Sequence, residues 1–277
     1  MTVFRFNTVT PHPLLSPYVA KIWVFESTGR LPPQERKLIV PNANLKLTLT
    51  CRNGIAACVG TKASFLQREN ELTLTGLIDM PVTLDPYEDA QTGTIIIEFN
   101  PLGAYRFFYL RYTEVQNEIT DLVDLVGNQV VTLRSQLTET ENLTLKLELL
   151  QNFLIRQLEK YPADPIYDHC IHRIMATNGL ITVARLEKDT GYSARWLHRK
   201  FSEHLGTGPK NLAEIVRFKQ FYQAYSTGAP SQNLKQHIYQ YYHDQSHFLR
   251  AFKRFTGTTP TQLQSSVNEL STRNFTS

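Results

Sequence analysis

Between Thr182 and Leu263 the apolar positions recur at steps of three and four, and the pattern occurs twice with an offset of 51 residues. The first copy passes through Ser193, Leu197, Phe201 and Leu205 to Gly206 and Pro209. The second passes through Asp244, Phe248, Phe252 and Phe255 to Gly257 and Pro260. Ser193 and Asp244 can each cap a helix, because a side-chain oxygen there accepts from the free N–H groups of the first turn. Glycine followed by proline three residues later is a helix stop. Two short amphipathic helices are therefore expected. The face opposite the first apolar stripe carries Arg195, Arg199 and Ser202, with Trp196 and His198 at its edges. In the second copy it carries Ser246, Arg250 and Lys253, with Gln245 at the helix start and His247 at the edge. Both faces are rich in donors and poor in acids, which suits a major groove, where arginine pairs with guanine and glutamine with adenine. A helix-like segment and a turn precede each copy.

The first hundred residues change to short β-rich runs. Strands are expected at Val19–Glu26, Lys37–Val40, Leu45–Cys51, Ile55–Gly60, Glu71–Leu77 and Thr94–Phe99. The breaks fall at Pro32–Pro33, Pro41–Asn42, Asn53–Gly54 and Asp85–Pro86. Asn53–Gly54 carries the residue pair of a tight hairpin turn. Asn100 and Pro101 suit the cap and first position of a helix, on which Tyr105, Phe107 and Phe108 would pack. Further on, Leu143, Leu147, Leu150, Phe153, Leu154 and Leu158 put an apolar stripe on a helix of about 18 residues. Docking on the β-domain or pairing with a second copy would bury it equally well. Tyr161 to Pro165 ends that helix, with Asp164 and Pro165 placed to start another; limited proteolysis would fall here. The fold class expected is α+β: a β-rich sandwich or barrel with following helices over 1–160, and an all-α region over 165–270.

Charge is divided as the periodicity is. Residues 1–160 hold 15 Lys+Arg against 17 Asp+Glu, whereas 161–277 hold 14 against 8, together with seven of the eight histidines. A basic helical region suits a polyanion. The opening residues lack the basic and apolar regions of a signal peptide, and no apolar run approaches a membrane span. A soluble, cytoplasmic protein with no membrane partner is expected. Three cysteines, Cys51, Cys58 and Cys170, form no paired framework and read as reduced thiols.

Catalytic chemistry is not visible. Nucleophile motifs, phosphate loops and dinucleotide fingerprints are missing, and a metal-bearing cupin barrel needs several inward histidines where residues 1–160 offer only His12. His169, Cys170 and His172 point in different directions on a helix, so neither metal nor cofactor is expected. Asp85, Glu88 and Asp89 read as a solvated acidic loop. Arg36 and Arg106 are candidates for an anionic effector, with surface salt bridging the plainer fate.

Gly191, Tyr192, Ser193, Leu197, Arg199, Phe201, Gly206 and Pro209, then His243 to Phe248, Arg250, Phe252, Lys253, Gly257 and Pro260, resemble the paired helix-turn-helix domain of AraC-type transcription regulators. The resemblance implies two recognition helices, held by a linking helix, that enter successive major grooves roughly 34 Å apart. Carried over by position, it implies DNA contacts from Arg195, Trp196, His198, Arg199, Gln245, Ser246, His247 and Arg250, although Trp196 would equally cover a seam between helices. It implies double-stranded DNA, RNA polymerase and a second copy of the chain as partners. The stretch from Trp23 to Phe108, with Ile39 to Asn42 and Glu98 to Ala104, looks like the amino-terminal β-domain of a branch of these regulators. That likeness implies a cupin-like sensor for a small-molecule effector.

Three positions depart from the pattern. Glu187 and His237 stand where a small residue lets two helices approach, and Tyr241 replaces the turn glycine kept at Gly191. They motivate a rival reading, a co-regulator with weakened DNA binding. A second rival is a DNA-alkylation-repair enzyme, which would need a reactive thiol at Cys51 or Cys58.

Overall fold

Alternation along the strands sends each sheet face to a different destination, and this sets the architecture of the amino-terminal half. The computed structural model describes residues 3–28, 37–62, 64–86, 91–226 and 238–263. A six-stranded antiparallel sheet is formed by β1 (Val3–Val9), β2 (Val19–Thr28), β4 (Leu45–Arg52), β7 (Leu72–Thr75), β9 (Gln91–Phe99) and β10 (Ile119–Asp121), in the order β1-β2-β9-β4-β7-β10. A four-stranded sheet is formed by β3 (Lys37–Ile39), β5 (Ile55–Val59), β6 (Phe65–Gln67) and β8 (Val82–Pro86), in the order β3-β8-β5-β6. On the large sheet Ile22, Val24, Leu47, Leu49, Ile95 and Ile97 point to a core shared with helices. Their neighbours Trp23, Phe25, Thr94 and Ile96 face the small sheet and line a cavity between the two.

The turn at Asn53–Gly54 forms, with Asn53 at φ 50°, but it does not close a hairpin. Among the described residues β4 pairs with β7 and β9, and β5 with β6 and β8. The turn is a corner between sheets, because the register of β4 is held by its longer neighbour β9. Pro32, Pro33, Arg36, Glu88 and Asp89 lie outside the described residues, as does the side chain of Asp85.

Asn100 starts a turn rather than the helix expected there. Its Oδ1 accepts from the Leu102 N–H at 2.9 Å, and α1 runs only over Ala104–Phe107. Arg106 is buried instead of salt-bridged at the surface. It donates to the Tyr161 carbonyl at 2.7 Å and to the Tyr18 hydroxyl, and its guanidinium lies 4.7 Å from the Tyr18 ring centre. Each of its three nitrogens meets an oxygen, Nη2 reaching the Leu158 carbonyl at 3.4 Å, which offsets the loss of solvation.

Helices α2 (Leu122–Val126) and α3 (Asn128–Thr138) follow, then α4 (Leu143–Leu158), capped by Asn142. The stripe of α4 is spent within the chain. Leu147, Leu150, Phe153 and Leu154 are buried in the same cluster as the outer face of the large sheet. Docking therefore wins over pairing between copies through this face.

The carboxyl-terminal half is helical: α5 (Pro165–Ala176), α6 (Val183–Thr190), α7 (Ala194–Leu205) and α8 (Pro209–Ser226), then a helical stretch at 238–241, α9 (Gln245–Thr256) and α10 (Pro260–Leu263). Helix α8 links the two units. Phe218 meets Phe255 at 4.8 Å between ring centres, and Phe221 meets Phe248 at 4.6 Å. One hydrophobic cluster runs from the sheet through α4 and α5 to α7, α8 and α9.

If α4 is a structural strut, Leu150→Ala should cost about 2–5 kcal/mol of stability in chemical denaturation, by transfer plus cavity terms. Leu145→Ala, on the exposed side, should change it by less than about 0.5 kcal/mol.

Candidate nucleic-acid interface

Each recognition helix is assembled from local hydrogen bonds that its sequence supplies. Ser193 accepts from the Trp196 N–H at 3.3 Å and starts α7; Asp244 accepts from the His247 N–H at 2.7 Å and starts α9. Leu197, Phe201 and Leu205 are buried on one face of α7, and Phe248, Phe252 and Phe255 on one face of α9. Both helices end on a glycine in the left-handed region, Gly206 at φ 85° and Gly257 at φ 77°.

The two departures that fall within the described residues are accommodated differently. In the first unit Gly191 makes the turn at φ 76°, and Glu187 accepts from the Ala194 N–H at 2.6 Å. Glu187 thus satisfies a free donor of α7 and acts as a second cap. In the second unit Tyr241 is buried and is not among the positive-φ residues, so that turn is built without a left-handed residue. His237 lies outside the described residues.

The structure places the residues singled out in the sequence as follows. Arg195, Arg199, Gln245, Ser246 and Arg250 are exposed, as is His198; Trp196 and His247 are half-buried. Arg199 lies 3.7 Å from Glu203, an exposed pair one turn apart that leaves it available. Trp196 stacks on Tyr192 at 3.9 Å and carries Lys200 over its ring at 5.4 Å. His198 rests on Gly208: a Cβ there would come within 2.6 Å of the imidazole. His247 meets the Tyr242 ring edge-on at 5.5 Å.

Sequence reasoning missed the residues that dock both recognition helices on the sensor. At the end of α7, Gly206 lies against the main chain of Tyr112, where a Cβ would stand 2.2 Å from the carbonyl oxygen. His204 stacks parallel on Tyr105 at 4.5 Å, and its Nε2 lies 3.0 Å from Asp164, which also receives Lys200 at 2.9 Å. At the end of α9, Arg254 donates to Asp79 at 2.5 Å and to Glu214 at 3.1 Å, while Asn211 donates to Asp79 at 2.9 Å. Asn117, before β10, donates to the same carboxylate at 2.7 Å. Gly206 and Gly257 are equivalent positions of the repeat, and Gly257 sits beside Pro81. The carboxyl ends of both helices therefore face the sensor, and their opening turns stay exposed.

The sensor brings together residues quoted from its sequence. Asn42 and Asn44 donate to the buried Glu98 carboxylate at 3.0 and 2.9 Å. Burial pushes the Cys51 thiol up, and pushes Cys170 to about 11. Burial thus disfavours the thiolate form at both positions. Among the described residues there is no group of His, Cys, Asp and Glu arranged to hold a metal. No described helix is long and apolar enough to cross a membrane.

A double helix-turn-helix with donor-rich, exposed recognition faces defines a DNA-binding transcription regulator. Residues 186–266 match the family model described as a helix-turn-helix domain, and residues 7–121 match a domain family of unknown function. Residues 186–266 are a helix-turn-helix domain of the AraC type, in a chain of α+β fold. No curated protein matches it significantly in sequence. Among solved structures, it is similar to the apo form of a singly substituted ToxT from Vibrio cholerae, with 13% identity, a TM-score of 0.47, and 89% of this chain and 98% of that one covered. Wild-type ToxT from the same organism with an unsaturated fatty acid bound gives 15% identity, a TM-score of 0.46, and coverage of 89% and 96%. The cupin domain of Schizosaccharomyces pombe Cnp3 gives 9% identity, a TM-score of 0.29, and coverage of 35% and 61%.

Gly206→Ala should destabilise more than Gly191→Ala in thermal unfolding, since both demand positive φ but only Gly206 also abuts a carbonyl. Burial pushes the Asp164 carboxyl up, but hydrogen bonds from Lys200, the Tyr167 N–H and His204 outweigh it and hold the group below its ordinary value. Its stabilisation is complete above the unfolded value of about 3.9 and is lost as pH falls through the lower folded value. Asp164→Asn should thus lower stability at neutral pH and flatten its decline below about pH 4, read from denaturation curves across pH.

Proposed function

We propose that α7 and α9 read base edges in two successive major grooves, through Arg195, His198, Arg199, Gln245, Ser246, His247 and Arg250, with Trp196 buttressing the first helix. The observation that carries this reading is the shared orientation of the two units: both recognition helices dock by their carboxyl ends and leave their donor-bearing opening turns in solvent. Lysine and arginine contacts to phosphate would supply salt-sensitive affinity, and the two faces would supply selectivity.

The sensor is read as the seat of a small, mostly apolar effector. A cavity of about 90 Å³ lies between the two sheets, lined by Trp23, Phe25, Ile39, Ile55, Val82 and Ile96. The buried Trp23 Nε1 has no acceptor among the described residues, so an effector with one acceptor oxygen would complete it. The chain acts in the cytoplasm as a regulator and not as an enzyme, with RNA polymerase as a partner. A homodimer would use a surface other than the apolar stripe of α4.

A binding site selected from a random DNA pool provides the test. Arg199→Ala and Arg250→Ala should each cost about 1–3 kcal/mol of binding and relax preference at one base position. Unchanged affinity and unchanged preference on that site would remove these residues from base reading. Repeating the titration with candidate apolar metabolites, on the native chain and on Trp23→Phe, tests the effector.

A further inference from the structure

A second cleft, on the opposite side of the large sheet from the barrel cavity, is lined by groups that DNA binding leaves unused. It measures about 470 Å³ and lies between the first turns of α4 and the ends of β2, β4 and β9. Lys146 lines it from α4. The residue is 1% exposed, and its Nζ has no hydrogen-bond partner and no ion-pair partner among the described residues.

That state is unusual for lysine, which ordinarily buries its stem and keeps the ammonium in water. A buried ammonium needs an acceptor, since the cost of removing it from water is otherwise uncompensated. Ser27, Thr92 and Thr94 line the cleft with unpartnered hydroxyls, but no described group reaches Lys146 Nζ at hydrogen-bond distance. Glu26 and Glu141 line it but are exposed, and neither forms an ion pair with Lys146. Arg52 is on the rim with one guanidinium nitrogen 2.9 Å from the Gln91 side-chain oxygen, and Arg5 lines the same edge. Val24 and Leu143 give the cleft apolar surface. The unpartnered cation is therefore inside, and the exposed edge carries two arginines and two carboxylates.

The geometry points to a binding site for a small organic anion, its carboxylate or phosphate group seated on Lys146 and its body against Val24 and Leu143. The site is separate from the barrel cavity and does not rest on the effector reading given to it. Entry of the anion converts an unpaired buried charge into a charge-assisted pair, so binding is coupled to the stability of the α4–sheet contact.

Thermal unfolding of the full chain tests this with benzoate, phenyl phosphate and inorganic phosphate, each against sodium chloride at equal ionic strength. At least one organic anion should raise the unfolding temperature saturably; a response to benzoate alone identifies a carboxylate site, and to phenyl phosphate a phosphate site. Lys146→Met should abolish the rise, and without anion should unfold at a higher temperature than the native chain, because the unpaired charge is gone. Arg52→Gln, at the exposed rim, should raise the half-saturating concentration several-fold and keeps the test open if Lys146→Met does not fold. Trp23→Phe should leave the response intact. The proposal is overturned if neither organic anion acts, if Lys146→Met responds as the native chain does, or if Trp23→Phe and not Lys146→Met removes the effect.

Discussion

The approach of Gly206 to the Tyr112 carbonyl is the contact on which the arrangement of the two halves depends. A Cβ would stand 2.2 Å from that oxygen, so only glycine allows the end of α7 to meet the sensor main chain at this distance. Around it, Tyr105 stacks on His204, Tyr167 donates to the Pro101 carbonyl at 2.8 Å, and Asp164 gathers Lys200 and His204. These groups come from α1, the start of α5 and the end of α7. Helix α7 is thereby registered against the β-domain through its carboxyl end.

The second unit is held by a polar cluster instead. Asp79 is buried and collects Asn117, Asn211 and Arg254, and Arg254 also reaches Glu214. Each member finds a partner, which a buried network requires if it is to specify one geometry without a large penalty. Aromatic packing of α8 on α9 joins the second unit to the linking helix. Two unlike junctions, one a glycine–carbonyl contact flanked by an aromatic stack and the Asp164 pairs and one a network centred on Asp79, thus hold equivalent ends of a repeated element.

The sensor divides its surfaces with similar economy. The outer face of the large sheet is consumed by α4 and its neighbours, while the inner face and the small sheet enclose the barrel cavity. Glu98 sits at one end of β9, satisfied on one oxygen by Asn42 and Asn44. Lys219 of α8 is held below the ordinary lysine range by burial, with Glu98 acting in the opposite sense. The linking helix thus lies within electrostatic reach of the β-domain.

Sequence alone determined what depends on neighbours within about a turn of chain. The caps at Ser193, Asp244 and Asp164, the glycine stops at Gly206 and Gly257, the apolar stripes of α4, α7 and α9, and the donor-rich faces all follow from local hydrogen bonding and helical period. Tertiary structure decided what depends on distant partners. Asn53–Gly54 became a corner because β9 claimed β4, Arg106 was buried because Tyr18 and Tyr161 converge on it, and Glu187 proved to be a cap although its position called for a small residue. The docking of both recognition helices by their carboxyl ends belongs to the same class, since Tyr112 and Asp79 lie far from them in sequence and their pairing exists only once the sheet has formed.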